Sequence, residues 1–168
     1  LMEINKLLNT GSNHLKNSNI FTHKLDSEIL LSKILNQTRE ELLINLDKKV
    51  SLKNIKQFNK LIKRRSNREP IAYILRKKEF WSKNFEVNKN TLIPRPETEL
   101  MVEKIVNIFQ NKKPFILDIG TGSGCILISI LSELKEALGI GVDISNNGIK
   151  IAIKNSKKHQ LSNKIRFY

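Results

Sequence analysis

Residues Phe115 to Gly124 read Phe-Ile-Leu-Asp-Ile-Gly-Thr-Gly-Ser-Gly, and few short windows restrict a fold as tightly. The apolar run has the length of a strand. Glycines then alternate with small hydroxyl residues, and a helical pattern opens at Cys125-Ile126-Leu127-Ile128. A buried strand, a glycine-rich turn and a helix form the first unit of an α/β domain in which a ligand can approach backbone. Glycine permits turn conformations that a Cβ would forbid. A second apolar run, Leu138 to Val142, ends in Asp143, about twenty residues beyond the last glycine. At that spacing a carboxylate closing the second strand meets ribose hydroxyls.

The loop's details discriminate between cofactors. Dinucleotide sites use G-x-G-x-x-G, whereas this chain has G-x-G-x-G followed by Cys125. Asp118, two residues ahead of the loop, would repel a pyrophosphate. It suits the ammonium and sulfonium charges of S-adenosylmethionine, so the residues favour a methyl donor. The plain alternative is a glycine turn in an α/β domain with no ligand.

The chain's 168 residues suffice for one ordinary domain or two small ones. Hydrophobic residues at 39% and charged residues at 27% are those of a globular, not a disordered, chain. No apolar stretch is long enough to cross a bilayer, and the N-terminus has no secretion-type apolar core. A single cysteine, Cys125, excludes an internal disulfide and a multi-cysteine metal site, and its place after the loop makes it a packing residue. His14, His23 and His159 lack ligand spacing and are expected at the surface. The chain is read as cytoplasmic. A net charge of +14 has two readings. Lysine, asparagine and isoleucine are abundant, as A+T-rich coding would make them, or the charge serves an anionic partner such as the RNA-rich ribosome.

Up to Ile74 the pattern is helical throughout. Leu7, Leu8 and Leu15 make one apolar stripe; Leu25, Ile29, Leu30 and Ile34 make another, interrupted by Lys33. Thr38-Arg39-Glu40-Glu41 is a capping box opening a helix to Leu46. Ser51 caps a helix with Ile55, Phe58, Leu61 and Ile62 inward and Lys63-Arg64-Arg65 at its negative end. Pro70 starts a short turn of helix to Ile74. Glu79-Phe80-Trp81 and Phe85-Glu86-Val87 predict a hairpin turning at Ser82-Lys83-Asn84. Leu92 to Pro96 is extended, and Pro96 begins a helix carrying Leu100, Met101, Ile105, Val106 and Phe109. Strand 115–119, helix 124–136, strand 139–142, helix 146–159 and a strand opening at Lys164 alternate as in a parallel sheet. Such a sheet leaves apolar faces uncovered and Phe167-Tyr168 on an edge.

In order and wording these pieces resemble the PrmC/HemK family, the N5-glutamine methyltransferases of peptide chain release factors. The selective blocks are Arg68-Glu69-Pro70-Ile71-Ala72-Tyr73-Ile74, Glu79-Phe80-Trp81 and Leu92-Ile93-Pro94-Arg95-Pro96-Glu97-Thr98-Glu99, with Asp118 to Gly124 and Asp143-Ile144-Ser145 behind them. The resemblance implies an α/β protein: an N-terminal helical bundle followed by a truncated class I S-adenosylmethionine-dependent methyltransferase domain, Rossmann-like. It implies a release-factor-recognition domain at 1–77, a hairpin linker at 78–93 and an incomplete donor-binding domain at 94–168. Gly120, Thr121, Gly122, Ser123 and Gly124 then surround the methionine moiety, Asp143 holds the ribose, and Thr98 lines the site. Arg95 and Glu97 are either part of that site or a salt bridge at the connector. Release factors are the implied partners, with ribosome-associated RNA indirectly, no membrane, and a monomeric state.

The family's catalytic Asn-Pro-Pro-Tyr does not occur among Pro70, Pro94, Pro96 and Pro114. No catalytic residue is therefore assigned, and the chain is expected to be a fragment, inactive alone. Arg76 stands where the family has glycine, and Gly148 where it has alanine, each at a cost of roughly 1 kcal/mol. Two other classes remain open: a non-catalytic module that binds release factor or RNA, and a related RNA or protein methyltransferase.

Overall fold

The computed structural model describes residues 1–168, which divide into two compact units, Leu1–Leu75 and Arg76–Tyr168. The first comprises β1 (Met2–Glu3), α1 (Ile4–Asn17), α2 (His23–Leu35), α3 (Arg39–Ile44), β2 (Lys49–Val50), α4 (Leu52–Ser66) and α5 (Ile71–Leu75). It is not wholly helical. Met2 pairs with Val50 and Glu3 with Lys49, antiparallel, in strands too short to carry any sequence period.

Helix α1 buries the expected Leu7, Leu8 and Leu15, together with Ile4. Helix α2 follows the expected stripe in part: Leu30 is fully buried and Ile34 packs against the core, but Leu25 is 42% exposed and Leu31 is buried as well. Its inward side runs through Asp26, Ser27, Leu30, Leu31 and Ser32 and so mixes polar with apolar residues, while Lys33 stays in solvent. The capping box forms as read. The Glu41 amide donates to Thr38 Oγ1 at 3.1 Å, and the Thr38 amide donates to Glu41 Oε2 at 2.8 Å. Helix α3 ends two residues before Leu46, where Asn45 leaves the helical conformation and donates from Nδ2 to the Glu41 carbonyl at 2.6 Å.

Two devices hold α2 and α4. Gly11 lets them approach α1: a Cβ there would stand 2.6 Å from the Phe58 ring and 2.9 Å from Ser27 Oγ. The buried Asp26 carboxylate accepts from Arg65 Nε at 2.7 Å and from the Thr22 hydroxyl at 2.8 Å. Arg64 grips Glu69 in a bidentate pair, at 2.7 and 2.5 Å, that holds the Glu69 carboxyl below its usual range. The pair fixes the turn through Arg68, whose φ is 64°. Arg76, after α5, has φ 54°, the left-handed conformation expected where a glycine would be unstrained.

The second unit contains β3 (Lys78–Phe80), β4 (Lys83–Phe85), a 3-10 turn (Pro96–Thr98), α6 (Glu99–Phe109), β5 (Phe115–Ile119), α7 (Cys125–Glu133), β6 (Leu138–Val142), α8 (Asn146–Lys158) and β7 (Ile165–Phe167). The sheet is parallel with order β5-β6-β7, and Asp118 pairs with Gly141, which pairs with Phe167. The hairpin turns earlier than the sequence suggests, at Trp81-Ser82 with φ 51° and 52°, because two-residue hairpin loops need left-handed backbone. Trp81 is held there by Glu99 Oε1, which accepts its amide at 2.8 Å, and Glu133 Oε1, which accepts its indole N–H at 2.9 Å. The hairpin's Phe80 and Phe85 join the core of α7 and α6 with edge-to-face rings 6.2 Å apart.

Two further readings change. Helix α6 begins at Glu99 behind the 3-10 turn and buries Val102, while Leu100 and Met101 are 62% and 43% exposed. Of the histidines only His14 is exposed; His23 bonds Ser12 Oγ at 2.8 Å, and the half-buried His159 ring lies 4.9 Å from that of Phe85. One face of β5 is open to solvent, with Phe115, Leu117 and Ile119 at 67%, 57% and 79% exposure, while Ile116 packs inward.

The glycines yield opposite expectations. Gly11→Ala forces a methyl into the Phe58 ring and is expected to destabilise by about 1–3 kcal/mol. Gly148→Ala meets only ordinary contacts, at 3.4 Å and beyond, and is expected to stabilise by up to about 1 kcal/mol. Urea titration of the two variants checks both signs.

Candidate cofactor site

Strands β5 and β6 end side by side, and the loop from Gly120 to Gly124 lies across their carboxyl ends. That is where ligands bind in parallel sheets. The amides of Gly120 and Thr121 donate to the Val142 carbonyl at 2.8 and 3.0 Å, and the Gly124 amide donates to the Thr121 carbonyl at 2.8 Å. Gly120 and Gly122 have φ 78° and 54°, and a Cβ on Gly120 would meet nothing within 4 Å. Gly124 differs in use: a Cβ there would press Ile128 at 3.1 Å and Ala152 at 3.2 Å, so its absence lets α7 and α8 close on the sheet.

Hydrogen bonds tie Asp143 and Thr121 to the loop and its flanking carboxylates. Asp143 Oδ2 accepts the Gly122 amide at 2.8 Å, and Oδ1 accepts the Ser145 amide at 2.8 Å. The carboxylate thus stands both beside the loop and at the start of α8, where Ser145 Oγ caps the helix by accepting from Gly148 at 3.1 Å. Thr121 is buried, and its hydroxyl donates to Asp118 Oδ2 at 2.7 Å. Ser123 is buried beneath the loop. Thr98 sits half-buried at the end of the 3-10 turn, with its amide on the Arg95 carbonyl at 3.0 Å and no side-chain hydrogen bond to the loop. Arg95 and Glu97 are both exposed and form no ion pair with each other, which removes the connector salt bridge.

Burial raises the Asp118 carboxyl above its usual range, the Thr121 hydroxyl opposes this, and the Asp143 charge raises it further. Two carboxylates flanking an open glycine loop are repelled by an anion and stabilised by a cation. Cys125 is buried, and its thiol is pushed up to about 11, chiefly by desolvation, so it stays neutral and packs.

Two residues escaped the sequence reading. Asn155 is fully buried in α8: Nδ2 donates to the Ser123 carbonyl at 2.9 Å and to the Glu86 carbonyl at 3.0 Å, and Oδ1 accepts the Glu86 amide at 2.7 Å. Its signal was an amide within the inward stripe Ile149, Ile151, Ala152. Ile144, next to Asp143, is fully exposed, an apolar surface beside the loop.

The fold and site define a methyltransferase-type α/β unit, and a methyltransferase domain family matches residues 110–168. The PrmC N-terminal domain family matches residues 6–75, so the two matched segments follow one another along this chain. It is 45% identical to a release factor glutamine methyltransferase of Buchnera aphidicola subsp. Schizaphis graminum, over 86% of this chain and 53% of that protein. Another from the Baizongia pistaciae subspecies is 40% identical over 96% of this chain and 58% of its own length. A bifunctional methyltransferase of Rickettsia typhi is 37% identical over 97% of this chain and 35% of its own. The chain therefore spans between about a third and somewhat over half of these curated relatives.

Asn155→Ala is expected to leave Glu86 and Ser123 backbone groups unpaired and destabilise the second unit by about 1–3 kcal/mol. Faster hydrogen exchange of the Glu86 amide, with no change in the first unit's amides, is the measurement that checks it.

Proposed function

We propose that this chain binds S-adenosylmethionine on the Gly120–Gly124 loop and serves methylation of the glutamine amide in the Gly-Gly-Gln segment of peptide chain release factors. The observation that carries the cofactor is the open loop between Asp118 and Asp143. The substrate rests on the named relatives. When bound, S-adenosylmethionine supplies a methyl group on a positively charged sulfur. Asp118 provides the anionic surroundings that charge prefers, Gly120 and Gly122 admit close approach, and Asp143 accepts ribose hydroxyls. Ile144 offers an apolar face against which a purine can lie. A glutamine amide is a weak nucleophile, so transfer requires a second set of groups that align it with the methyl and stabilise the developing charge. The residues described here contain no Asn-Pro-Pro-Tyr for that task. We place the protein in the cytoplasm as a monomer, with 1–77 for release-factor recognition, 78–93 as hairpin and 94–168 for the donor; no helix is long and apolar enough to cross a membrane.

Calorimetry of the 168-residue chain tests the cofactor. Asp143→Ala is expected to weaken S-adenosylmethionine by about 1–3 kcal/mol; equal affinities would remove Asp143 from the site, and preference for NAD would overturn the class. A bound cation favours ionised Asp118, so binding releases its proton. Affinity is expected to fall as pH drops through the raised Asp118 pKa and to level off above it, and Asp118→Asn should flatten that profile. Apo stability runs the other way, decreasing as pH rises from the ordinary carboxylate range through the raised pKa.

Activity separates from binding. This chain is expected to bind donor yet transfer little methyl to a release factor carrying Gly-Gly-Gln. Radiolabelled transfer at the rate of a full-length relative would show that the described residues already hold the amide.

A further inference from the structure

Helix α4 presents Lys53, Lys56, Lys60 and Lys63 at spacings of three, four and three residues. Residues three and four apart share a helix face, so these form one stripe about 15 Å long. All four are exposed, and none pairs with a carboxylate. Helix α4 contains no acidic residue at all. Like charges at these spacings repel, so the stripe works against the helix that carries it. By contrast Lys83, Lys113 and Lys154 each sit against a glutamate. Between α1 and α4 a cavity of about 640 Å³ adjoins the stripe, lined by polar side chains from Thr10, His14, Asn59 and Lys63 and by apolar surface at Gly11 and Ile62. Lys63 belongs to both features.

We infer that this face binds single-stranded RNA, with phosphates along the lysine stripe and a nucleotide in the adjoining cavity. The inference uses none of the residues of the donor site, although α4 lies within the segment proposed for release-factor recognition. Protein interfaces are depleted in lysine and anchored by aromatic and apolar side chains. The stripe carries no aromatic anchor, because Phe58 on the same helix is buried, and the one exposed apolar side chain of α4 is Leu52 at its first residue. A phosphate backbone is bound by mobile point charges, and polar side chains with donors and acceptors beside them suit an unstacked base.

Anisotropy of a labelled oligouridylate titrated with the whole chain, from roughly 50 to 200 mM salt, tests this. Each phosphate contact contributes about −0.7 to the slope of log affinity against log salt, so replacing all four lysines by glutamine should flatten the slope by about 3. Affinity at low salt should fall about tenfold or more. Single variants such as Lys56→Gln should each remove about 0.7. A control with Lys24, Lys104, Lys150 and Lys157 changed to Gln removes the same formal charge from other exposed positions. It should keep most of the slope; an equal loss would reduce the effect to net charge and overturn the proposal. Equal binding of polyglutamate would overturn the assignment to RNA. The fourfold variant should melt no lower than the parent, and a lower melting temperature with unchanged binding would make the stripe structural. Asn59→Ala should weaken binding without altering the slope; unchanged affinity would overturn the nucleotide's place in the cavity.

Discussion

The second unit hangs on one buried amide. Asn155 is wholly inside, and its three hydrogen bonds reach the exit of the hairpin at Glu86 and the glycine loop at Ser123. A buried amide without partners is costly, so the three segments are held in one arrangement. The consequence falls on the loop. Its underside is tied to Asn155, Val142 and Asp143, and its upper side at Gly120 stays open. A loop immobilised from below and bare above has its conformation set in advance, which is what the proposed donor site requires.

Charge divides the molecule by function. The chain carries +14, yet the loop is flanked by two carboxylates, and burial holds the Asp118 carboxyl above its usual range. A cationic donor relieves that repulsion where a pyrophosphate would add to it. In the first unit the cations do two jobs. Arg64 and Arg65 are spent on Glu69 and Asp26 and shape the turn before α5, whereas the α4 lysines have no internal partner. The selective block around Arg68-Glu69-Pro70 is thus explained by structure: Glu69 is the clamp, and Arg68 takes the left-handed backbone the turn demands.

Legibility followed the range of the interaction. The Thr38–Glu41 box closes within one turn of helix and was readable directly. The alternation of β5, α7, β6, α8 and β7 was readable because apolar period and glycine placement are local. The β1–β2 pair, the exposure of Leu25 on α2 and the Trp81-Ser82 turn differ from the local pattern for the opposite reason. Each is decided by a distant partner: Val50 for Met2, Phe58 and the neighbouring helices for α2, and Glu99 with Glu133 for Trp81.

By itself the sequence determined the two-part organisation, the strand–glycine–helix unit and the acidic residues at 118 and 143, because periodicity and turn chemistry act over a few residues. Only the tertiary structure decided that Asp143 binds the loop amide of Gly122 while also standing at the start of α8, that Gly124 serves packing while Gly120 stays open, and that Arg95 and Glu97 form no ion pair. Asn155, 32 residues from Ser123 and 69 from Glu86, belongs to the same group. Contacts across such separations depend on how whole elements dock, and no local pattern encodes which buried amide will meet which backbone.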